Sequence, residues 1–196
     1  VPEAISILKD AAKENTENFL PPLLLANIYL KQLRKPDLAD SYARKAAALA
    51  PDHFAPVEVL WETQQFRGQA SRAEAVLAKA AESGSENPWY WVHLAELYRR
   101  MQPIDHPASP VAQERMDAAL RQAALLGHDR ADVLSKVAEF RVLAGNFVEA
   151  KDLYEQLYAL DPEYPSALEK LAAACLETRD YDQAEKLLVK MLEANP

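Results

Sequence analysis

Glycine is scarce in this chain, with 4 among 196 residues. Neither a glycine-rich phosphate loop nor a nucleophile elbow occurs, so two common enzyme signatures are missing. Cysteine is scarcer still. Cys175 stands alone, which excludes an intramolecular disulfide framework and any CxxC metal site, and leaves both reducing and oxidising compartments open. Long apolar runs are absent, and nothing approaches the ~20 residues a bilayer-spanning helix needs. Direct membrane insertion is therefore not expected. The start, VPEAISILKD, lacks a basic stretch followed by an apolar one, so no secretion signal is read there. Basic runs are missing too, none being longer than Arg99-Arg100. With a net charge of -8 the chain repels phosphate backbones, and no nucleic-acid partner is expected.

What is abundant is apolar material in short, charge-interrupted segments. At 49% hydrophobic residues, the chain has enough for a continuous core and does not read as disordered. Its last two fifths also repeat. Leu134 recurs as Leu168, Val137 as Leu171, Ala138 as Ala172, Ala150 as Ala184 and Pro162 as Pro196, each pair 34 residues apart. A period in this range marks a supersecondary unit that cannot bury its apolar face alone and must stack on its neighbours.

The order of residue sizes within each period resembles the tetratricopeptide-repeat family. Trp91, Leu94, Ala95 and Tyr98 follow the family's first helix: large residues fill the core and a small one lets the paired helix approach. Ala150, Tyr154, Leu157 and Pro162 follow its second helix, with Leu in a slot the family gives to Ala. The resemblance covers essentially the whole chain. It implies an all-α fold, a right-handed α-solenoid (superhelix) of antiparallel helix pairs with about eleven helices. The expected division is one solenoid over 1–196. It opens with an orphan second helix at 3–14, followed by repeats at 19–52, 54–87, 88–129, 131–164 and 165–196.

Three departures from the pattern stand out. The turn around Arg34-Lys35-Pro36 carries one extra residue. Trp61 sits where the family wants a small side chain, which predicts local loosening or a wider helix pair. The third repeat carries an inserted loop, 102–110 (QPIDHPASP from Gln102), roughly nine residues beyond the family's turn length. That loop either gates one edge of the groove or is a neutral insertion. The chain stops at Pro196 with no polar capping helix, so a fragment of a longer, bacterial-looking array is expected. Its cut ends would then associate end to end through exposed apolar faces.

The resemblance also implies that first helices line a concave face that holds the ligand. After each small-residue slot the chain reads Asn27, Glu62, Glu96, Glu139 and Ala173. One turn earlier it reads Leu23, Glu58, Val92, Ser135 and Glu169. Trp89, His93 and Arg99 would sit beside them, with Trp89 an aromatic anchor. Such a stripe suits a protein or peptide ligand with basic character. The same residues also suit a solvated acidic face whose partners dock elsewhere.

Two family functions fail on their residues. The Lys/Asn clamp of chaperone-binding members meets Glu where Asn is needed. The asparagine ladder of glycosyltransferase-associated members is replaced by Leu24, Val59, His93, Lys136 and Lys170. His93 and Glu96 lie one helical turn apart, but a metal would need Glu62 or Glu139 from a neighbouring repeat, and no metal or other cofactor is expected. An open groove excludes little water, so catalysis is not expected either. His53, His106 and His128 read as solvated turn residues, and Cys175 as a small buried apolar residue. The expected function is that of a scaffold or adaptor, cytoplasmic or periplasmic. The alternative implied by the family is a periplasmic scaffold in exopolysaccharide export or cell-envelope assembly, docking a modifying enzyme or guiding a cationic polymer.

Overall fold

The computed structural model describes residues 1–101 and 110–194. All regular structure among them is helical: α1 (Pro2–Glu14), α2 (Leu20–Asn27), α3 (Pro36–Leu49), α4 (Ala55–Phe66), α5 (Ala70–Ala81), α6 (Pro88–Arg100), α7 (Pro110–Leu126), α8 (Ala131–Leu143), α9 (Phe147–Leu160), α10 (Ala167–Glu177) and α11 (Tyr181–Ala194). Prolines fall in the first turn of six of these helices, α1 to α4, α6 and α7, where a missing N–H costs nothing and the fixed φ starts the helix. Two compact units divide the chain, Val1–Ala119 and Leu120–Pro196.

In the first unit α2 packs on α3, α3 on α4, and α4 on α5. Leu25, Ala26, Tyr29, Ala39, Ala43 and Ala46 make the core of this stack. The alanines bring backbones close, and the leucine and tyrosine fill the space between. Each fully buried Leu contributes about 1.5–3 kcal/mol. Helix α6 is anchored by two aromatic side chains. Trp91 Nε1 donates to the Ser85 carbonyl at 2.8 Å, and Tyr90 Oη donates to the Ala80 carbonyl at 3.2 Å. In the second unit α8 pairs with α9, α9 meets α10, and α10 pairs with α11. Leu134, Tyr154, Leu157, Leu171 and Cys175 form its core. Burial pushes the Cys175 thiol above its ordinary pKa, so it is held as an inert thiol.

The turns inside the helix pairs follow one scheme. The N–H three residues past the last helical residue bonds back across the turn: Gln69 to Gln64, Asn146 to Arg141 and Asp180 to Cys175, at 2.9, 2.9 and 2.8 Å. That closure requires a left-handed residue just before, supplied by Gly68, Gly145 and Arg179. Glycine adopts this conformation freely; arginine is strained in it. The extra residue at Arg34-Lys35-Pro36 is absorbed upstream. Helix α2 widens into a π-helical turn over Ile28–Gln32, and Lys35 N–H bonds Tyr29 O at 2.8 Å, with Arg34 left-handed.

Trp61 is 5% exposed, and the Arg100 guanidinium lies 4.8 Å from its ring centroid. Its indole N–H is buried without a hydrogen-bond partner, a cost of about 1–3 kcal/mol carried by the oversized residue in a small slot. The inserted loop lies, but for Pro110, outside the described residues, as does His106; Pro110 begins α7.

Candidate functional site

Helices α4 and α6 carry most of the candidate residues in the first unit, and an open cavity of about 220 Å³ lies at their N-terminal ends. Phe54, which precedes α4, and Trp89 and His93 of α6 line it, with Glu58 and His53 at its edge. The His93 ring stacks on Phe54 at 5.7 Å and tilts against Trp89 at the same distance. Tyr90 meets Phe54 edge-on at 5.0 Å, and His53 packs on Phe19 at 4.6 Å. Asn87 fixes the start of α6 by accepting from the Trp89 N–H at 3.0 Å. One edge of His93 stays exposed. Burial against the rings lowers its pKa, opposed by the Glu58 and Glu96 carboxylates, with His53 adding to the depression. The imidazole is thus neutral near pH 7 and presents a flat, weakly polar surface.

The carboxylates expected to form a stripe, Glu58, Glu62 and Glu96, are each paired with a cation. Glu62 lies 3.1 Å from Lys31 Nζ and 3.9 Å from Arg100 Nη2. Arg100 Nη1 donates to Glu58 at 3.2 Å. Arg99 grips Glu96 through two hydrogen bonds, at 2.5 and 3.1 Å. In this unit three carboxylates therefore meet three cations. Asn27 turns back on its own helix, donating to the Leu23 carbonyl at 3.1 Å.

In the second unit Lys170 Nζ reaches Glu139 at 2.8 Å and Ser135 Oγ at 3.0 Å, and Lys136 adds a bond to Glu139 at 3.2 Å. Burial raises the Glu139 pKa, but the bonds from Lys170 and Lys136 outweigh it and hold the carboxyl below its ordinary value. Ser135 is 3% exposed, so it holds Lys170 in place and does not face a ligand. Leu23 and Val92, in the same slot series, are buried as well; one turn of a first helix there points into the core.

The stripe reading missed its cations because Lys31, Arg100 and Lys170 occupy other slots. His53, an expected solvated turn residue, is exposed; the structure adds that its ring packs on Phe19 and lines the cavity. His128, an expected turn residue, is exposed, its ring nitrogen 3.1 Å from the Leu125 carbonyl. Among the described residues no group of three or more His, Cys, Asp or Glu is arranged to hold a metal ion. No helix among them is long and apolar enough to cross a membrane.

A family model described as tetratricopeptide repeat matches residues 141–196. Human tetratricopeptide repeat protein 7B is 29% identical over 139 residues, which is 64% of this chain and 15% of that protein. The chain is similar to tetratricopeptide-repeat proteins, most directly over its last 56 residues. It thus spans a small part of the length of that human relative. Among solved structures, yeast Tom70 superposes with a TM-score of 0.58 at 20% identity, covering 95% of this chain and 38% of that one. YrrB, described as a TPR protein with an unusual peptide-binding site, gives 0.56 at 16% identity, covering 96% and 92%. MamA gives 0.55 at 19%, covering 98% and 92%. At these identities the superpositions speak for the fold. A tetratricopeptide-repeat fold is in general a protein–protein interaction scaffold, and its partners are proteins or peptides.

Proposed function

We infer that the chain is a binding scaffold whose first unit holds a segment of a protein partner across α4 and α6, with no catalytic step. The observation that carries this reading is the open ring-lined cavity of Phe54, Trp89 and His93. Magnitudes favour the rings over the carboxylates as the source of affinity. Exposed ion pairs contribute about 0–1 kcal/mol each, and an incoming Lys or Arg must first displace Arg100 from Glu58. Covering the partly exposed Trp89 at about 25 cal/mol per Å² contributes on the order of 1–2 kcal/mol, and aromatic residues dominate interface hot spots. The partner side chain that fits is apolar or aromatic, with a basic neighbour reaching Glu58, Glu62 or Glu96. Asn27 and Arg99 border that path. In the second unit Glu139 offers a separate, already paired carboxylate.

The test is affinity capture from the native cell extract, read by mass spectrometry, with three baits: the unaltered chain, Trp89→Ala, and a Glu62→Lys, Glu96→Lys, Glu139→Lys variant. A protein held by the first, lost by Trp89→Ala and weakened by the charge reversal supports the reading. A protein held equally by all three places the binding surface elsewhere.

A further inference from the structure

Another cavity lies apart from the rings and shares none of their lining residues. It has a volume of about 410 Å³ and is formed by α3, the end of α4, and α5. Arg44, Arg67, Arg72 and Lys79 converge on it from three helices, although no two are neighbours in sequence. In a chain of net charge -8 this is a local reversal of sign. Two carboxylates offset part of it. Arg44 Nε donates to Asp40 at 2.6 Å and its Nη2 to the other oxygen at 3.3 Å. Arg67 donates to Asp37 at 2.6 Å and to Gln64 at 3.5 Å. Gln64, 2% exposed, in turn donates to Asp40 at 2.9 Å. Arg67 and Asp40 are thereby held in fixed orientation by a buried amide.

Arg72 and Lys79 are not offset. Arg72 donates to Gln69 at 3.1 Å, both residues are exposed, and neither pairs with a carboxylate among the described residues. Ala75 and Val76 lie on the same helix between them and offer an apolar floor for a methylene stem.

We propose that this cleft is a docking site for an acidic segment of a protein partner, taking a glutamate or aspartate side chain between Arg72, Lys79 and Arg67. Charge complementarity commits it to an anion. The cleft's own pairs commit it to carboxylates: Asp40 and Asp37 already show how its guanidiniums grip that group, one of them in two-pronged fashion. A nucleic acid is disfavoured, because beyond the cleft its phosphates would meet a surface of like sign. The site goes beyond the ring-lined cavity and stands or falls independently of it.

The experiment is fluorescence anisotropy of the full chain at low salt. The probes are a labelled peptide carrying a run of glutamates, its glutamine counterpart, a phosphoserine counterpart and a single-stranded DNA. The glutamate peptide should bind and the glutamine peptide should not. An Arg72→Gln, Lys79→Gln variant should raise Kd about tenfold or more, and Arg72→Glu, Lys79→Glu should abolish binding. Trp89→Ala should leave this binding unchanged, which separates the two sites. Both altered positions are exposed, so circular dichroism should confirm an intact fold. No binding of the glutamate peptide, equal binding by the Arg72→Gln, Lys79→Gln variant, or binding of only the phosphopeptide or only the DNA would overturn the proposal.

Discussion

One slot of the repeat separates the two units of this chain. In the first it holds His93, a neutral imidazole between Phe54 and Trp89, on the lining of an open cavity. In the second it holds Lys136 and Lys170, which converge on Glu139. The surrounding helices are built alike, from alanine-lined pairs and left-handed turns. A flat ring leaves a surface that another molecule can cover. A long ammonium reaching a carboxylate uses its bonding capacity within the chain. On the proposed reading, what fills a few slots decides which unit can bind, with the fold held constant.

The largest effect should come from breaking one core and watching the other. Leu171→Ala removes a fully buried side chain from the second unit and should cost about 2–5 kcal/mol. All three tryptophans, Trp61, Trp89 and Trp91, sit in the first unit, so tryptophan fluorescence follows that unit alone. In urea, the far-ultraviolet dichroism transition should move earlier and broaden, while the fluorescence transition moves less. Coincident transitions with equal shifts would show that the units unfold as one, against the nearest-neighbour behaviour of stacked repeats.

Gly127 comes next. A Cβ there would lie 2.5 Å from Val133 Cγ1, so Gly127→Ala should lower stability by about 1–3 kcal/mol in the dichroism transition. An unchanged midpoint would mean that α8 shifts freely to make room. Turn chemistry should give a smaller effect of opposite sign. Arg179 holds the left-handed position that Gly145 holds one repeat earlier, so Arg179→Gly should stabilise by about 1 kcal/mol and Gly145→Arg destabilise by a similar amount. Loss of stability in Arg179→Gly would show that the arginine side chain matters more than its backbone strain.

The smallest effect is electrostatic. Glu139 is held below its ordinary 4.5, so its pairing stabilises the fold above that pH and is lost as pH falls through the lower, folded-state value. The group is over a third exposed, so the contribution should stay below about 1 kcal/mol. The gap in thermal midpoint between the unaltered chain and Glu139→Gln should narrow from pH 6 to pH 3. A constant gap would assign the difference to packing.

The helical repeat was legible in the sequence because its period is carried by size: Leu134 and Leu168, Ala138 and Ala172, Ala150 and Ala184 must recur for neighbouring units to stack. Gly145 and Arg179 share a position in the period, but that both turn left-handed there became visible only in the structure. The π-helical turn was announced only as one residue too many near Pro36. What the period could not show was which charges meet. Arg100 reaches Glu58 across 42 positions and Lys170 reaches Glu139 across 31, so a stripe that read as acidic is matched by cations from other slots. The basic cleft escaped for the same reason, since its cations are scattered from Arg44 to Lys79. Ser135 looked ligand-facing because its slot is buried in three repeats, at Leu23, Val92 and Ser135, and at least partly solvent-facing in two, at Glu58 and Glu169.

The most direct test of the account transplants the deciding slot. His93→Lys gives the first unit the residue that the second unit carries, beside Glu58 and Glu96, which are placed to pair with it. Capture of the partner from extract should then be lost, with the helical dichroism spectrum unchanged. Undiminished capture by a folded His93→Lys chain would contradict the assignment of the binding surface to the ring-lined cavity.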